Sequence, residues 1–160
     1  MEPIRVCFVC LGNICRSPTA EAVFLHLLRE EGLAERVAVD SAGTSGYHVG
    51  ERAHPGTRAE AKRRGIEVPS RSRRFVRDDF ARFDYVVAMD AQNRRDLARL
   101  APDDAARAKV HLFRDFDPAS PEGSSVPDPY YEGGFDRVFD ICEAAARGLI
   151  AHLRAERLGG

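Results

Sequence analysis

The sequence predicts a single α/β domain built on a parallel β-sheet. Its 160 residues are enough for one domain to bury a core without disulfide bonds. Short apolar runs, which are typical of buried parallel strands, alternate with segments of helical periodicity. The sequence contains no internal repeat, low-complexity segment or second domain, so one domain is expected over residues 1–160.

The composition points away from a nucleic-acid or membrane partner. The 24 basic and 25 acidic residues are well mixed and give a net charge of −1. The apolar run at residues 4–9 is too short to span a bilayer, contains Arg5 and is followed by no signal-peptide cleavage site. A cytoplasmic location is therefore predicted. Thiols stay reduced there, which favours catalytic or buried roles for the four cysteines, Cys7, Cys10, Cys15 and Cys142.

The chain opens with a predicted strand, loop and helix. Residues 4–9 form the strand, and a loop at residues 10–17 leads into the helix, with Ser17 as its N-cap and Pro18 at its first position. Gly32 is expected just after the helix end. The apolar stripe of this helix recurs at helical spacing, at Ala20, Val23, Phe24, Leu27 and Leu28.

The later elements continue the alternation. The pattern predicts three more strands, over residues 37–41, 85–89 and 110–113. It predicts helices over about 55–64, ended by Gly65, and over 93–100, with a weaker helix over 78–83. A last amphipathic helix is predicted from Phe135. Cys142 lies on the apolar stripe of that helix and is predicted in the core. Residues 114–134 form a long loop, and loops of this length in compact domains are usually functional.

The loop at residues 10–17 is predicted to bind an anion. A loop that enters a helix N-terminus points several backbone N–H groups at one spot, with the positive end of the helix dipole behind them. In a parallel sheet this loop, the 43–54 loop and the residues after Met89 meet at the carboxyl edge, where ligands of open α/β sheets bind.

Cys10 and Arg16 give this loop a nucleophile and a cation. Backbone amides, the helix N-terminus and Arg16 all favour the thiolate, so no separate histidine base is required. The thiolate could attack phosphorus while Arg16 and the amides hold the oxygens of the phosphoryl group. A merely buried Cys10 is the duller interpretation, and it leaves the polar loop residues without a purpose.

Three other roles for the cysteines are weaker. Cys7 and Cys10 have redox spacing, but residues three apart in a strand face opposite sides, so Cys7 is assigned to the core. A zinc site lacks a second ligand pair. A Cys–His protease stays open on composition alone, although it leaves Arg16 without a role. Neither a metal nor a cofactor is predicted.

A phosphate ester also needs a general acid to protonate its leaving oxygen, and a carboxylic acid on an adjustable loop is a suitable donor. Asp128 is favoured because Pro127 and Pro129 restrain it within the long loop, with Tyr130 and Tyr131 next as aromatic walls. Other candidates for the acid are Asp90, Asp115 and Asp117.

Two motifs carry a family resemblance. Residues 10–18, Cys-Leu-Gly-Asn-Ile-Cys-Arg-Ser-Pro, together with Asp-Pro-Tyr-Tyr at 128–131, resemble the low-molecular-weight protein tyrosine phosphatase family. The similarity covers nearly the whole chain and includes residues 40–47, 83–85 and 89–90. It implies a three-layer fold in which a four-stranded parallel sheet, in the order 2-1-3-4, is flanked by helices on both faces.

The resemblance also implies an activity and residue roles. The family hydrolyses phosphotyrosine and aryl phosphates through a phosphocysteine, here with Cys10 as nucleophile, Arg16 as phosphate clamp and Asp128 as general acid and then base. A phosphotyrosine-containing protein would be the substrate, and phosphate an inhibiting product. Further residues would form the phosphate-binding loop (Leu11, Gly12, Asn13, Ile14, Cys15, Ser17), support it (Asn13, Ser17, Ser41) or shape the entrance (Tyr47, Tyr130, Tyr131).

Cys15 corresponds to a second loop cysteine of the family that forms a disulfide with the nucleophile and shields it from irreversible oxidation. The resemblance thus implies a redox role for Cys15 if it lies within disulfide reach of Cys10. A simply packed thiol is the alternative.

The resemblance fails at one support position. Many members have a histidine shortly after the residues that match Gly65 and Ile66, where it supports the loop asparagine. This chain has Ser70 in that region, whose hydroxyl is the candidate substitute, and loss of the support is the alternative. The nearby arginines are interpreted as a solvated basic face, with attraction of acidic phosphopeptides as the alternative; they are Arg71, Arg73, Arg74 and Arg77.

Two other functions share this scaffold. An arsenate reductase would need extra thiols around residues 75–95, where none occurs. A phosphocysteine carrier needs no acid for an aryl leaving group, which Asp128 argues against. Ile14 favours an aryl ring, whereas relatives that act on phosphoarginine tend to have threonine at that position. Neither the physiological substrate nor the oligomeric state is indicated by the sequence.

Overall fold

The computed structural model describes residues 2–159. Its four strands form one parallel sheet in the order β2-β1-β3-β4. The strands are β1 (Ile4–Cys10), β2 (Val37–Gly43), β3 (Tyr85–Ala88) and β4 (Val110–Leu112). The predicted fold class and strand order are confirmed.

Helices cover both faces of the sheet. They are α1 (Arg16–Glu30), α2 (Pro55–Arg63), α3 (Asp79–Arg82), α4 (Ala91–Leu100), α5 (Asp104–Arg107) and α6 (Phe135–Leu153). A 3-10 turn (Phe113–Phe116) follows β4, and a π turn (Arg154–Leu158) follows α6. None of the helices within residues 2–159 combines the length and apolar composition needed to cross a bilayer.

The central strand β1 is buried on both sides, so its alternate residues enter two different cores. On the face covered by α1 and α6, Phe8 packs edge-on against Phe24, with ring centroids 5.5 Å apart. On the opposite face, Cys7 joins Phe80 of α3 and Leu97 of α4. Cys7 and Cys10 therefore face away from each other, as the strand periodicity predicts.

Two helix starts differ from the predictions. α1 begins at Arg16 and its N-cap is Cys15, so the assignment of Ser17 as N-cap is wrong: the Ser17 hydroxyl is engaged by the loop instead. α4 begins two residues earlier than predicted because Asp90 caps it, accepting a hydrogen bond from the Asn93 N–H at 2.7 Å. The four-residue helix α5 was not predicted, because one turn is too short to show periodicity.

Gly148 offers a test of how α6 packs. A Cβ atom at this position would lie 1.8 Å from the carbonyl oxygen of Phe116 in the 3-10 turn. Gly148→Ala would normally stabilise a helix interior by about 1 kcal/mol. Here we expect it to lower the free energy of unfolding by about 1–3 kcal/mol, because the helix and the turn must separate.

Chemical denaturation monitored by circular dichroism measures this change. Ala144→Gly, at an exposed position of the same helix, is the control and should cost about 1 kcal/mol through helix propensity alone. A Gly148→Ala variant more stable than the wild type would contradict the packing described here.

Candidate active site

The loop at residues 10–17 connects β1 to α1 and curls around the sulfur of Cys10. Cys10 is the last residue of β1 and is only 2% exposed. The backbone N–H of Asn13 donates to its Sγ at 3.2 Å, and the Ser17 Oγ lies 3.0 Å from the same atom. Asn13 Nδ2 also donates to Ser17 Oγ, and the Ser17 hydroxyl has two acceptors in reach, the Cys10 sulfur and the Ala42 carbonyl at 3.4 Å. The sulfur thus lies within hydrogen-bond distance of one backbone and one side-chain group of the loop.

Asn13 holds the loop in an unusual backbone conformation. Its φ is 56°, and within residues 2–159 it is the one non-glycine residue with positive φ. This conformation costs about 1–2 kcal/mol for an L-residue. Side-chain hydrogen bonds offset the cost: Nδ2 donates to Ser17 Oγ at 2.8 Å and to Ser41 Oγ at 3.0 Å, and Oδ1 accepts from the Arg73 N–H at 3.1 Å.

A buried carboxyl group ends this chain of hydrogen bonds. Ser41 Oγ donates to Glu21 Oε1 at 2.6 Å, and Glu21 is 5% exposed. Burial raises the pKa of Glu21, and the hydrogen bond from Ser41 opposes that rise. Glu21 thus fixes the direction of the Ser41 hydroxyl, which leaves Ser41 Oγ able to accept from Asn13.

Ser70 does not take the place of the missing histidine. Its hydroxyl lies near Glu21, is buried and makes no hydrogen bond of good geometry within the described residues. The support comes from the next turn of chain: the Arg73 N–H holds Asn13, and Ser72 Oγ donates to the Gly12 carbonyl at 2.9 Å. The loop is therefore supported by the Arg73 backbone N–H and the Ser72 hydroxyl, two contacts that the sequence did not predict.

Arg16 is fixed at the far end of the loop. Its Nη1 donates to Asp90 Oδ2 at 2.7 Å and to the Val126 carbonyl at 3.1 Å, while Nη2 lies 3.8 Å from Asp128 Oδ2. Burial opposes the charge, but the Cys10 sulfur and the two carboxylates outweigh it and raise the pKa of Arg16. The guanidinium thus stays charged and oriented, with Nη2 available to a ligand.

Asp128 is the one of the four candidate acids that lines the cavity above the loop. Its side chain is 46% exposed, and Oδ1 accepts from the Tyr130 N–H at 3.1 Å. Asp90 is committed to Arg16 and to the start of α4, and Asp115 and Asp117 accept from backbone N–H groups of the long loop. Those three carboxylates lie outside the cavity and bind other parts of the structure, whereas the Asp128 carboxylate lines the cavity.

The cavity has a volume of about 360 Å³. Its floor comes from the loop, through Cys10, Leu11, Gly12, Ile14, Cys15 and Arg16, and its rim carries the predicted Tyr47, Tyr130 and Tyr131. Tyr47 and Tyr131 are 84% and 91% exposed. Asn13, Ser17 and Ser41 lie behind the floor, where they hold it without touching the cavity.

Sequence reasoning missed two lining residues, Ser45 and His48. The His48 ring lies over Gly12, where a Cβ would sit 3.0 Å from its Cδ2, and His48 Nδ1 lies 2.8 Å from Glu51 Oε2. The sequence could have indicated them only through their position, since both residues lie in the 43–54 loop at the carboxyl edge of the sheet.

Cys15 lines the same cavity as Cys10. Burial, and then the nearby Cys10 and Asp128, raise the pKa of Cys15 to about 12. Cys15 is therefore a protonated thiol at neutral pH. Cys142 is fully buried, which confirms its place in the core, and burial raises its pKa as well.

A buried thiol that faces a fixed guanidinium across an anion-sized loop defines the class of cysteine-dependent phosphatases. The family model described as low molecular weight phosphotyrosine protein phosphatase matches residues 5–158, and the chain belongs to this family. It is accordingly an enzyme that hydrolyses phosphotyrosine.

Similar proteins span most of the chain. It is 49% identical over 155 residues to a low molecular weight protein-tyrosine-phosphatase of Streptomyces coelicolor, covering 95% of this chain and 94% of that one. The human low molecular weight phosphotyrosine protein phosphatase is 41% identical, with 91% and 92% covered. A crystal structure of the Entamoeba histolytica protein tyrosine phosphatase with Hepes in the active site superposes with a TM-score of 0.90 at 44% identity, covering 95% and 97%.

The Asn13 side chain provides a test of loop support. Asn13→Gly keeps the left-handed backbone accessible but removes three hydrogen bonds, so inhibition by inorganic phosphate should weaken roughly 10-fold. Ser70→Ala should change this inhibition by less than about 2-fold, because Ser70 makes no bond to the loop. Steady-state inhibition constants measure both effects. Wild-type inhibition in Asn13→Gly would mean that only the backbone conformation matters.

Proposed function

We propose that Cys10 is the nucleophile, Arg16 the phosphate clamp and Asp128 the general acid and base of phosphotyrosine hydrolysis. One observation carries this assignment: the Cys10 thiol, the Arg16 guanidinium and the Asp128 carboxyl line a single cavity. The thiol lies at the floor, where it would contact the phosphorus of a bound phosphotyrosine. The carboxyl lies toward the rim, where it would contact the leaving oxygen.

In the first step the Cys10 thiolate attacks phosphorus. The S–P bond forms as the P–O bond to the tyrosine breaks, and Asp128 in its protonated form gives its proton to the leaving phenolate. Arg16 and the loop N–H groups hold the three other phosphoryl oxygens as charge redistributes. Asp90 contributes by keeping the guanidinium aimed into the loop.

In the second step Asp128, now a carboxylate, takes a proton from water as the water oxygen attacks phosphorus. The S–P bond breaks, the thiolate returns and inorganic phosphate is released. Phosphate keeps the same Arg16 and N–H contacts as the substrate, so we propose that it inhibits as product.

The cavity wall supports an aryl substrate. Ile14 presents apolar surface beside Cys10, and the exposed rings of Tyr47 and Tyr131 stand at the entrance. A phenyl ring on the phosphate would pack against these groups, whereas the charged guanidinium of a phosphoarginine would lose water there without gaining a partner. The proposed substrate is therefore a phosphotyrosine-containing protein.

Two substrates whose leaving groups differ in acidity separate the role of Asp128 from that of Cys10. Asp128→Ala should lower kcat/KM for a phosphotyrosine peptide by about 100-fold or more, because the phenolate then leaves without a proton. An aryl phosphate with a strongly acidic phenol should lose much less, while Cys10→Ser should be inactive on both substrates. Asp117→Ala, in the same long loop but outside the cavity, is the control.

Stopped assays over a range of substrate concentrations give kcat/KM for the three variants and the wild type on both substrates, and hence the six ratios needed. Equal losses on both substrates would reject Asp128 as the acid, and turnover by Cys10→Ser would reject the covalent mechanism.

Cys15 is proposed to protect Cys10 from oxidation. Peroxide would convert the Cys10 thiolate to a sulfenic acid with release of hydroxide, and the Cys15 thiol would then displace water to form a disulfide. Cys15 lines the same cavity as Cys10, and the Cys10 sulfur is close enough to help raise the pKa of Cys15, which supports this pairing. Its raised pKa makes it a poor first target for peroxide.

Mass spectrometry after brief peroxide treatment tests this role. The wild type should form a Cys10–Cys15 bridge and recover activity with a thiol reductant, whereas Cys15→Ser should accumulate sulfinic or sulfonic Cys10 and stay inactive. Cys142→Ala should behave as the wild type. Irreversible oxidation of Cys10 at the same rate with and without Cys15 would reject the protective role.

We also propose a cytoplasmic location. The four cysteines are free, and reduced thiols are typical of that compartment. The redox cycle of Cys10 and Cys15 needs a reductant to reopen the disulfide, and a cytosolic thiol pool supplies one.

A further inference from the structure

The basic segment at residues 71–77 divides into two kinds of arginine. Arg73 turns inward, where its guanidinium bonds to Asp40 at 3.0 Å and to Asp79 at 3.0 Å. Arg71 donates to the Gly50 carbonyl at 3.2 Å. Arg74 and Arg77 are exposed, and neither side chain forms an ion pair with any of residues 2–159. The exposure of Arg71, Arg74 and Arg77 is consistent with the predicted solvated face, whereas Arg73 is held by its two carboxylate partners.

Arg74 and Arg77 line a groove of about 520 Å³ between this segment and α4. We call it the arginine groove, and its other lining residues include Thr44, Val76, Leu97, Arg99 and Leu100. Val76 and Leu100 expose 45% and 36% of their surface there. Asp96 also lines the groove but pairs with Arg99 at 3.3 Å, which leaves the positive charge of Arg74 and Arg77 uncompensated. The groove thus combines apolar surface with two unpaired cations.

The arginine groove adjoins the active-site cavity. Thr44 lines the groove and the next residue, Ser45, lines the cavity, so the turn at residues 44–46 separates the two. The Thr44 hydroxyl is enclosed and has no hydrogen-bond partner among the described residues. An extended peptide advances about 3.3 Å per residue, so a few residues suffice to cross this turn.

The wall between the two spaces is held by backbone pairing. The Gly43 N–H donates to the Arg73 carbonyl and the Phe75 N–H donates to the Gly43 carbonyl, both at 2.8 Å. Arg73 faces the interior and Arg74 the groove, as alternate residues of an extended segment must. The segment that supports Asn13 therefore also fixes the base of the Arg74 side chain beside the turn.

We propose that the arginine groove binds an acidic segment of the protein substrate, a few residues from its phosphotyrosine. This inference rests on the proposed function, because it places the phosphotyrosine in the cavity. Two cations beside exposed apolar side chains match a peptide that carries both carboxylates and apolar groups. A groove of this size is also too small and too apolar to be the main footprint for nucleic acid, which needs an extended basic surface.

Matched phosphopeptides test the proposal. Three are needed: one with Asp and Glu on the N-terminal side of the phosphotyrosine, one with them on the C-terminal side, and one with Asn and Gln instead. The enzymes are the wild type, an Arg74→Gln/Arg77→Gln variant, and a control, Arg29→Gln/Arg36→Gln, which removes two exposed arginines from the opposite edge of the sheet.

The groove variant should lose about 5-fold in kcat/KM for one of the acidic peptides, through a raised KM with kcat unchanged. The neutral peptide and a small aryl phosphate should change by less than about 2-fold, as should every substrate with the control variant. Raising the salt concentration should reduce the wild-type preference for the acidic peptide.

Several outcomes would overturn the inference. Equal losses on acidic and neutral peptides, or equal losses in the control variant, would mean that the groove makes no specific contact. Binding of RNA or anionic vesicles that the groove variant abolishes, with acidic peptides unaffected, would assign the groove to that partner. Failure of the wild type to hydrolyse the aryl phosphate would instead overturn the proposed function itself, so the two failures are distinguishable.

Discussion

The left-handed backbone of Asn13 is the constraint on which the active site depends. This conformation turns the Asn13 N–H toward the Cys10 sulfur. It persists because Ser17, Ser41 and the Arg73 N–H form hydrogen bonds with the asparagine side chain. Each bond is worth only about 1 kcal/mol, yet together they exceed the strain of the conformation. The shape of the loop thus places backbone and side-chain hydrogen-bonding groups around the thiol at the end of the strand, as the proposed phosphate-binding role of the loop requires.

The parallel sheet brings the remaining groups to that loop. β1 ends at Cys10 and β3 is followed by Asp90, so the proposed nucleophile and the carboxylate that orients Arg16 lie at one edge although 80 positions separate them in sequence. The long loop then adds the Val126 carbonyl and Asp128 from the far end of the chain. Arg16 contacts Asp90, Val126 and Asp128, which links the loop at residues 10–17 to the segment that carries the proposed acid.

The sequence predicted the fold and most of the residues that line the cavity because both have local or motif-level signals. Apolar runs and turn residues located the strands, and Cys10, Arg16 and Asp128 lie in compact motifs. Contacts between distant segments were not predictable in this way. The assignment of Ser17 as N-cap was wrong because the Ser17 hydroxyl is engaged by Asn13 and Cys10 of the loop and by the Ala42 carbonyl. Asn13 is in turn supported by a backbone N–H, which any residue at position 73 except proline would supply. His48 carries no periodic signal, so only the structure reveals its place over Gly12.

The most direct test of the account is to trap the covalent intermediate during turnover. Wild-type enzyme mixed rapidly with a phosphotyrosine peptide and quenched into alkaline denaturant should carry one phosphate, which peptide mapping should locate on Cys10. Phosphate on another residue, or product formation with no phosphoenzyme under conditions where its breakdown is slowed, would contradict the role given to the loop.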